Sequence, residues 1–349
     1  VCDSYITTNN ILNNINGPNE VFDKSNSIWV NQGFKLKSNY INQMKKCFNG
    51  EVDPIKFADG ANAVNAINNF VFLKTGGMFS NLISTNDINS STKLALINTI
   101  YFMGNWQYPF KKVYNRKLPF FPSNLSKKNS KKITMMYLSD EKHLPYTENK
   151  DWQVLALPYK DSNTSMIVFL PKPGKSLSSL IQKEDSSNLM KLVNNLRSTA
   201  PYSIDLKFPK FSIDQSLIIQ ETFRQMGVNR VFSPLKSDLS NIAVSANDKL
   251  YVSLFEQRAK IEVTEIGTKA AAATISLLVA GASYEPKTIY FNADHPFMFM
   301  IIDKDNNQIL FMGKFSKPHG IMPDTNSVYH STNNDGFFHK LYAKFKNFF

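Results

Sequence analysis

The pattern that most constrains this chain is an irregular interleaving of strand-sized and helix-sized apolar segments. Lys93 to Tyr101, Val154 to Leu157, Ser165 to Leu170, Ser203 to Phe208, Leu250 to Phe255, Lys260 to Val263, Phe297 to Ile302 and Gln308 to Met312 are β-rich and turn-bounded, which predicts strands. Helical period runs from Asp59 to Phe72, with Ala61, Val64, Ile67 and Val71 on one side and Gly76-Gly77 as a stop. A second helix is predicted from Gln215-Ser216 into Leu217 to Met226, closed by Gly227. A third spans Leu177 to Leu196, with Leu180, Leu189 and Leu192 inward. The two kinds of segment do not alternate as βαβ units, and no period of about 20 to 50 residues repeats. The predicted fold class is therefore one α+β domain, neither a doubly wound sheet nor a solenoid.

Across 349 residues, 42% are hydrophobic and 13% aromatic, enough to bury a substantial core. The longest apolar stretches, Leu94 to Phe102 and Pro296 to Ile302, fall well short of the roughly 18 residues of a membrane span. With only Cys2 and Cys47, neither a disulfide scaffold nor a multi-cysteine zinc site can be built; the two pair or stay free. The chain begins with Val, and no positive-then-apolar leader precedes the globular part, so a targeting peptide is expected to be absent or removed. Asn-x-Ser/Thr sequons at Asn89, Asn124 and Asn163 tilt the expectation toward a secreted glycoprotein.

Enzymatic motifs are missing. The five histidines, His143, His295, His319, His330 and His339, show no metal-ligand spacing, and no GxSxG elbow occurs. Pro173-Gly174-Lys175-Ser176 mimics the end of a phosphate loop, but Phe169 stands where its first glycine belongs, so a surface turn is expected. The chain is predicted not to be an enzyme and to need no cofactor or metal. Its net charge of +12 (40 Lys and Arg against 28 Asp and Glu) is spread over Lys45-Lys46, Lys111-Lys112, Arg116-Lys117, Lys127-Lys128 and Lys131-Lys132. Neither the aromatic interleaving of a single-strand binder nor a DNA-reading helix accompanies it, so nucleic acid is not an expected partner. Such a field suits sulfated polysaccharides or acidic proteins, or is simply a solvated surface.

After Pro318 the composition shifts. Residues 319–349 read as a separate extension, in which Phe337, Phe338, Leu341, Tyr342, Phe345, Phe348 and Phe349 fall at helical spacing among Lys340, Lys344 and Lys346. This basic amphipathic tail packs on its own domain or a neighbour, meets an anionic membrane or partner, or stays disordered.

The run from Thr264 to Ser283 is chemically unusual. Four consecutive alanines, Ala270, Ala271, Ala272 and Ala273, suit a helix, whereas Gly267 and the surrounding β-branched residues do not. Taken as a strand, alternation sends Thr268, Ala270, Ala272, Thr274 and Ser276 to one face and Lys269, Ala271, Ala273 and Ile275 to the other. A strand with one wholly small face can enter an existing sheet without overpacking the core beneath it. The alternative is a plain small-residue loop.

This run, Glu265-Ile266-Gly267-Thr268-Lys269 followed by Ala270 to Thr274, resembles the hinge of the serpin family. The resemblance extends in family order through Asn98 to Trp106 with Pro109-Phe110, Met135-Met136, Leu157-Pro158-Tyr159, Phe169-Leu170-Pro171 and Phe208-Pro209-Lys210-Phe211. It continues through Phe232-Ser233-Pro234 with Asp238-Leu239-Ser240, Asp294-His295-Pro296-Phe297 and Phe311-Met312-Gly313-Lys314. It spans about Ser27 to Pro318, within a serpin-like domain of residues 1–318 that has no counterpart of the family's first helices before Ser27.

The resemblance implies a large central sheet with surrounding helices, further sheets and an exposed reactive loop. It further implies a monomeric inhibitor that is consumed once. A serine protease attacks the loop and forms an acyl-enzyme, and the freed loop then inserts as a new strand and distorts the trapped protease in a covalent complex. By the same resemblance Trp106, Lys210 and Glu265 guard the upper sheet opening, with a Lys210–Glu265 ion pair. Asn98 sits at a mid-sheet gate, where Gln257 replaces the family's usual histidine and is expected to bond Asn98 without titrating near neutral pH. Counting from Gly267 puts the scissile bond near Gly281, and counting back from Phe291 favours Ala282-Ser283, the bond chosen here. Small residues there suit elastase-like pockets, with chymotrypsin-like cleavage as fallback. The rivals are a non-inhibitory serpin-fold binding or chaperone protein and an inhibitor of papain-like cysteine proteases.

Overall fold

The computed structural model describes residues 19–123, 129–139, 143–245, 249–268 and 288–318. In chain order its elements are β1 (Glu20–Asn31), β2 (Lys35–Leu36), α1 (Ser38–Phe48), β3 (Glu51–Ile55), α2 (Gly60–Lys74), β4 (Leu94–Asn105), β5 (Arg116–Phe120) and β6 (Lys131–Leu138). There follow β7 (His143–Leu144), β8 (Tyr146–Glu148), β9 (Trp152–Pro158), β10 (Thr164–Pro171), α3 (Leu177–Lys183), α4 (Ser186–Ser198), β11 (Tyr202–Pro209), β12 (Phe211–Ile218) and α5 (Gln220–Gln225). The chain continues with β13 (Ala243–Val244), β14 (Leu254–Val263), β15 (Gly267–Thr268), β16 (Ile289–Asn292), β17 (Phe297–Asp303) and β18 (Ile309–Phe315).

The strands form three main sheets, and the α+β class is as expected. The largest has the order β12-β14-β15-β4-β1-β3, a second β18-β17-β10-β9-β8, and a third β16-β11-β6-β5. The second sheet explains its own sequence. Along β10, Met166, Val168 and Leu170 face a core shared with Phe22, Phe102, Phe211 and Val263 of the large sheet, while Ile167 and Phe169 face α3 and α4. Burial on both sides produces an uninterrupted apolar run rather than alternation, each such side chain contributing about 1.5–3 kcal/mol. The opposite face of the large sheet, with Ile97 and Tyr101, is covered by Ala63, Ile67 and Val71 of α2 and by the segment carrying Phe79, Leu82, Ile83 and Ile88.

Several expected elements are corrected. In α2 the buried stripe contains Ala63 and not Ala61, which is exposed. The helix ends as expected, at Gly76 (φ +55°) and Gly77 (φ +81°), left-handed positions at which Gly77 N–H donates to Phe72 O at 2.8 Å. The segment expected as one helix from Gln215 to Met226 is a strand through Ile218, because β12 pairs with β14 along its whole length, and only Gln220–Gln225 is helical. Leu177 to Leu196 is two helices, broken where Asp185 accepts from Ser187 N–H and caps α4. Of the strand expected at Leu250 to Phe255 only Leu254 and Phe255 are extended in a sheet, and they run on without a break through Lys260 to Val263 as one strand, β14, whose central polar residues are met by β12: Arg258 binds Asp214 and Glu256 accepts from Ser216. Cys47 is buried and disulfide-bonded, while Cys2 lies outside the described residues.

Candidate functional site

The large sheet has a seam down its middle. β14 and β4 pair in parallel from Leu254↔Ala95 to Lys260↔Tyr101. Above that they part by the width of one strand, and β15 fills the gap. Gly267↔Asn105 and Thr268↔Gly104 pair antiparallel with β4, and Thr268 pairs with Val263 of β14. The loop expected to insert therefore already contributes two residues to the sheet.

Backbone contacts fix this hinge. Thr264 N–H and Oγ1 both donate to Gly267 O at 2.8 Å, Trp106 Nε1 donates to Thr264 O at 2.9 Å, and Phe110 N–H donates to Glu265 O at 2.8 Å. A Cβ on Gly267 would lie 2.1 Å from Gly104 O and 2.7 Å from Asn105 Cα, so only glycine allows this approach. Gly104 is needed for the same reason, since a Cβ there would meet the Tyr159 ring at 2.6 Å. That ring fills the space over Gly104, stacks on Trp106 with centroids 4.7 Å apart, and shares a 2.8 Å hydrogen bond between its hydroxyl and that of Thr268. Both Tyr159 and Thr268 are buried, and burial pushes the Tyr159 phenol above its ordinary range.

Glu265 anchors the turn. Lys210 Nζ donates to its two carboxylate oxygens at 2.9 and 3.2 Å, as the ion pair expected, and Asn115 Nδ2 donates to Oε1 at 2.6 Å. Burial alone would raise the Glu265 pKa, but hydrogen bonds from Lys210, its own backbone N–H and Asn115, together with the Lys210 charge, hold it below 4.5. Trp106, Lys210, Glu265, Gly267 and Thr268 thus meet at the upper opening. Sequence reasoning missed Asn115, a polar residue beside a single 3-10 turn, and gave Tyr159 no role although it stood in a quoted motif.

The mid-sheet gate differs from expectation. Asn98 lies in register with Gln257 on one side and Asn26 on the other, yet its Nδ2 donates to Asn26 Oδ1 at 2.7 Å. The amide pair is therefore Asn98–Asn26, away from the seam. The group that titrates near neutrality is the preceding residue, Glu256, which points to the opposite face beside Ile97. Its Oε1 accepts from the Ser216 hydroxyl, and its Oε2 has no partner among the described residues. Burial pushes its pKa up to about 7; Asp87 adds to the rise, while Ser216 and Arg258 oppose it. No metal-binding cluster of acidic, histidine or cysteine side chains occurs among the described residues.

A profile of the family described as serpin (serine protease inhibitor) matches residues 5–318. The chain belongs to the serpin family. The match begins upstream of Ser27, where the recognisable motifs start. Among curated serpins, the leukocyte elastase inhibitor of Xenopus tropicalis is 31% identical over 317 residues, covering 90% of this chain and 82% of that protein. Antithrombin-III of Mus musculus is 32% identical over 296 residues, covering 84% and 62%. Among solved serpin structures, native protease nexin-1 with heparin superposes with a TM-score of 0.75 at 26% identity, over 90% of this chain and 83% of that one.

Residues Ala270 to Thr274 and the proposed scissile residues Gly281, Ala282 and Ser283 lie outside the described residues, as does Asn124. Asn89 and Asn163 are exposed; the Asn89 Oδ1 accepts from Ser91, and the Asn163 Nδ2 donates to Asp305.

Proposed function

We propose that this serpin is a single-use inhibitor of serine proteases that works by inserting its cleaved loop into the β4–β14 seam. The observation that carries the reading is the pairing of Thr268 with Gly104. Counting on in that register sets Ala270 opposite Phe102, Ala272 opposite Ile100 and Thr274 opposite Asn98, on the face turned to the core. Phe102 belongs to that core and Ile100 packs against it. Beside such neighbours a strand of Ala and Thr adds little volume, which supports insertion without overpacking. The other face brings Lys269 beside Met103 and Ala271 beside Tyr101.

Cleavage is assigned to Ala282-Ser283, with Gly281 adjacent. Between Ala270 and Pro286 there is no Lys or Arg, so the buried carboxylate of a trypsin-like pocket would stay unpaired against any residue here. Elastase-like proteases are the proposed targets, and chymotrypsin-like cleavage at Leu278 or Tyr284 is the fallback. We further assign the protein to the extracellular space as a monomer, with Asn89, Asn124 and Asn163 as glycan acceptors and residues 319–349 as an extension beyond the serpin domain.

Incubation with a panel of elastase-, chymotrypsin-, trypsin- and papain-like proteases, followed by denaturing gels, tests the proposal. A covalent band is expected with an elastase-like enzyme, and the released C-terminal peptide should begin at Ser283. Rapid trapping of trypsin, or cleavage without any covalent band, contradicts it.

A further inference from the structure

The cations of this chain are not evenly placed. Between Trp106 and Ser139 there is no Asp or Glu, while the same stretch holds Lys111-Lys112, Arg116-Lys117, Lys127-Lys128 and Lys131-Lys132. The first pair opens a 3-10 turn, Lys112–Tyr114, and the second follows it; Asn115, which closes the turn, bonds Glu265 of the hinge. Lys111, Lys112, Arg116 and Lys117 are all exposed, and none of them forms an ion pair among the described residues. Between them Val113 is 74% and Tyr114 48% exposed. The turn is nevertheless rigidly held. Arg116 donates through Nη1 to Val113 O at 3.0 Å and to Asn115 O at 2.9 Å, Lys111 Nζ lies over the Tyr114 ring, and Asn115 is tied to Glu265.

We infer that Lys111, Lys112, Arg116 and Lys117, set around Val113 and Tyr114, form a second docking surface for an acidic patch on the protease that the loop baits. This rests on the inhibitory reading above. Unpaired cations of one sign attract an anionic partner and raise its encounter rate. The two exposed apolar side chains favour a protein over a sulfated chain, because a protein surface buries them and a polysaccharide leaves them wet. Position favours the protease: the Asn115–Glu265 bond fixes the turn against the hinge from which the bait loop departs. Small residues at the scissile bond give little discrimination by themselves, so a charged surface beside the hinge supplies specificity that the bond does not.

The test uses the full chain and an elastase-type protease of net negative charge whose nucleophilic serine is changed to alanine, so that docking is read without trapping. The variant K111E/K112E/R116E/K117E should raise Kd by about tenfold or more at about 20 mM salt, a difference that closes near about 300 mM as the field is screened. K111Q/K112Q/R116Q/K117Q should give an intermediate loss, and V113S/Y114S a loss at both salt levels. Loss of a covalent band with active protease, while the serine-to-alanine protease still binds, counts against the trap alone, which separates insertion from docking. Unchanged protease binding by both fourfold variants overturns the inference. So does a variant that loses retention on heparin while binding the protease normally, since the patch would then serve a polysaccharide.

Discussion

Thr268→Arg converts the protein from an inhibitor into a substrate: the loop is cut at its usual bond, the protease leaves active, and no covalent complex accumulates. Thr268 is fully buried between β4 and β14, and its hydroxyl is occupied by Tyr159. A guanidinium in that place has no water to reach and must push aside the Tyr159 ring packed over Gly104, beyond which Glu20 is the nearest carboxylate in register; burying it costs several kcal/mol. Thr268 is already seated in the seam of the intact protein, so the arginine displaces the hinge before any cut, and insertion must bury it again while deacylation competes. Thr268→Ser keeps the small size and the hydroxyl and should keep inhibition. Titration of a fixed amount of elastase-like protease gives the stoichiometry. A Thr268→Arg value equal to that of the wild type contradicts the mapping of the hinge.

The second large effect is on pH dependence. Glu256 is fully buried, has a carboxylate oxygen with no partner among the described residues, and has its pKa raised from 4.5 to about 7. A raised carboxyl pKa means that the native state holds the proton more tightly than the unfolded chain. The stabilisation is therefore complete below pH 4.5 and is lost as pH rises through about 7. A shift of that size corresponds to about 3 kcal/mol in order of magnitude, given about 1.4 kcal/mol per pH unit. Denaturant midpoints of the native form should fall between about pH 5 and pH 8, and Glu256→Gln should flatten that slope. Glu256 lies on a seam strand in register with Ile97 of β4, so ionising it is expected to weaken the packing of that strand and to speed insertion. An equal slope in both proteins removes Glu256 from the gate.

What could be read from sequence alone divides along physical lines. α2 was legible because its apolar period and its two terminal glycines act locally. The strands of the second sheet were legible because burial on both faces leaves an apolar run. β12 and the middle of β14 were not, since Ser216, Glu256, Arg258 and Asp214 are polar residues that satisfy one another across strands, and neither strand alone shows that partner. At the site, the Lys210–Glu265 pair spans 55 residues and was reachable only through resemblance to a family. Asn115 and Tyr159 act through contacts to Glu265 and Thr268 that sequence spacing does not encode. The mid-sheet gate failed for a related reason: register places Asn98 equally beside Asn26 and Gln257, and only the side-chain geometry decides between them.

Insertion of the loop is the central claim, and it predicts that the intact protein is kinetically held in a state less stable than the loop-inserted one. The direct measurement is the melting temperature before and after a single cut between Gly281 and Tyr284 by a non-target protease. If the freed strand fills the seam, β4 and β14 exchange their parallel pairing with each other for antiparallel pairing with the inserted strand between them, and the melting temperature should rise sharply. A cut protein that melts at or below the temperature of the intact one would contradict insertion and leave a serpin fold that binds without trapping.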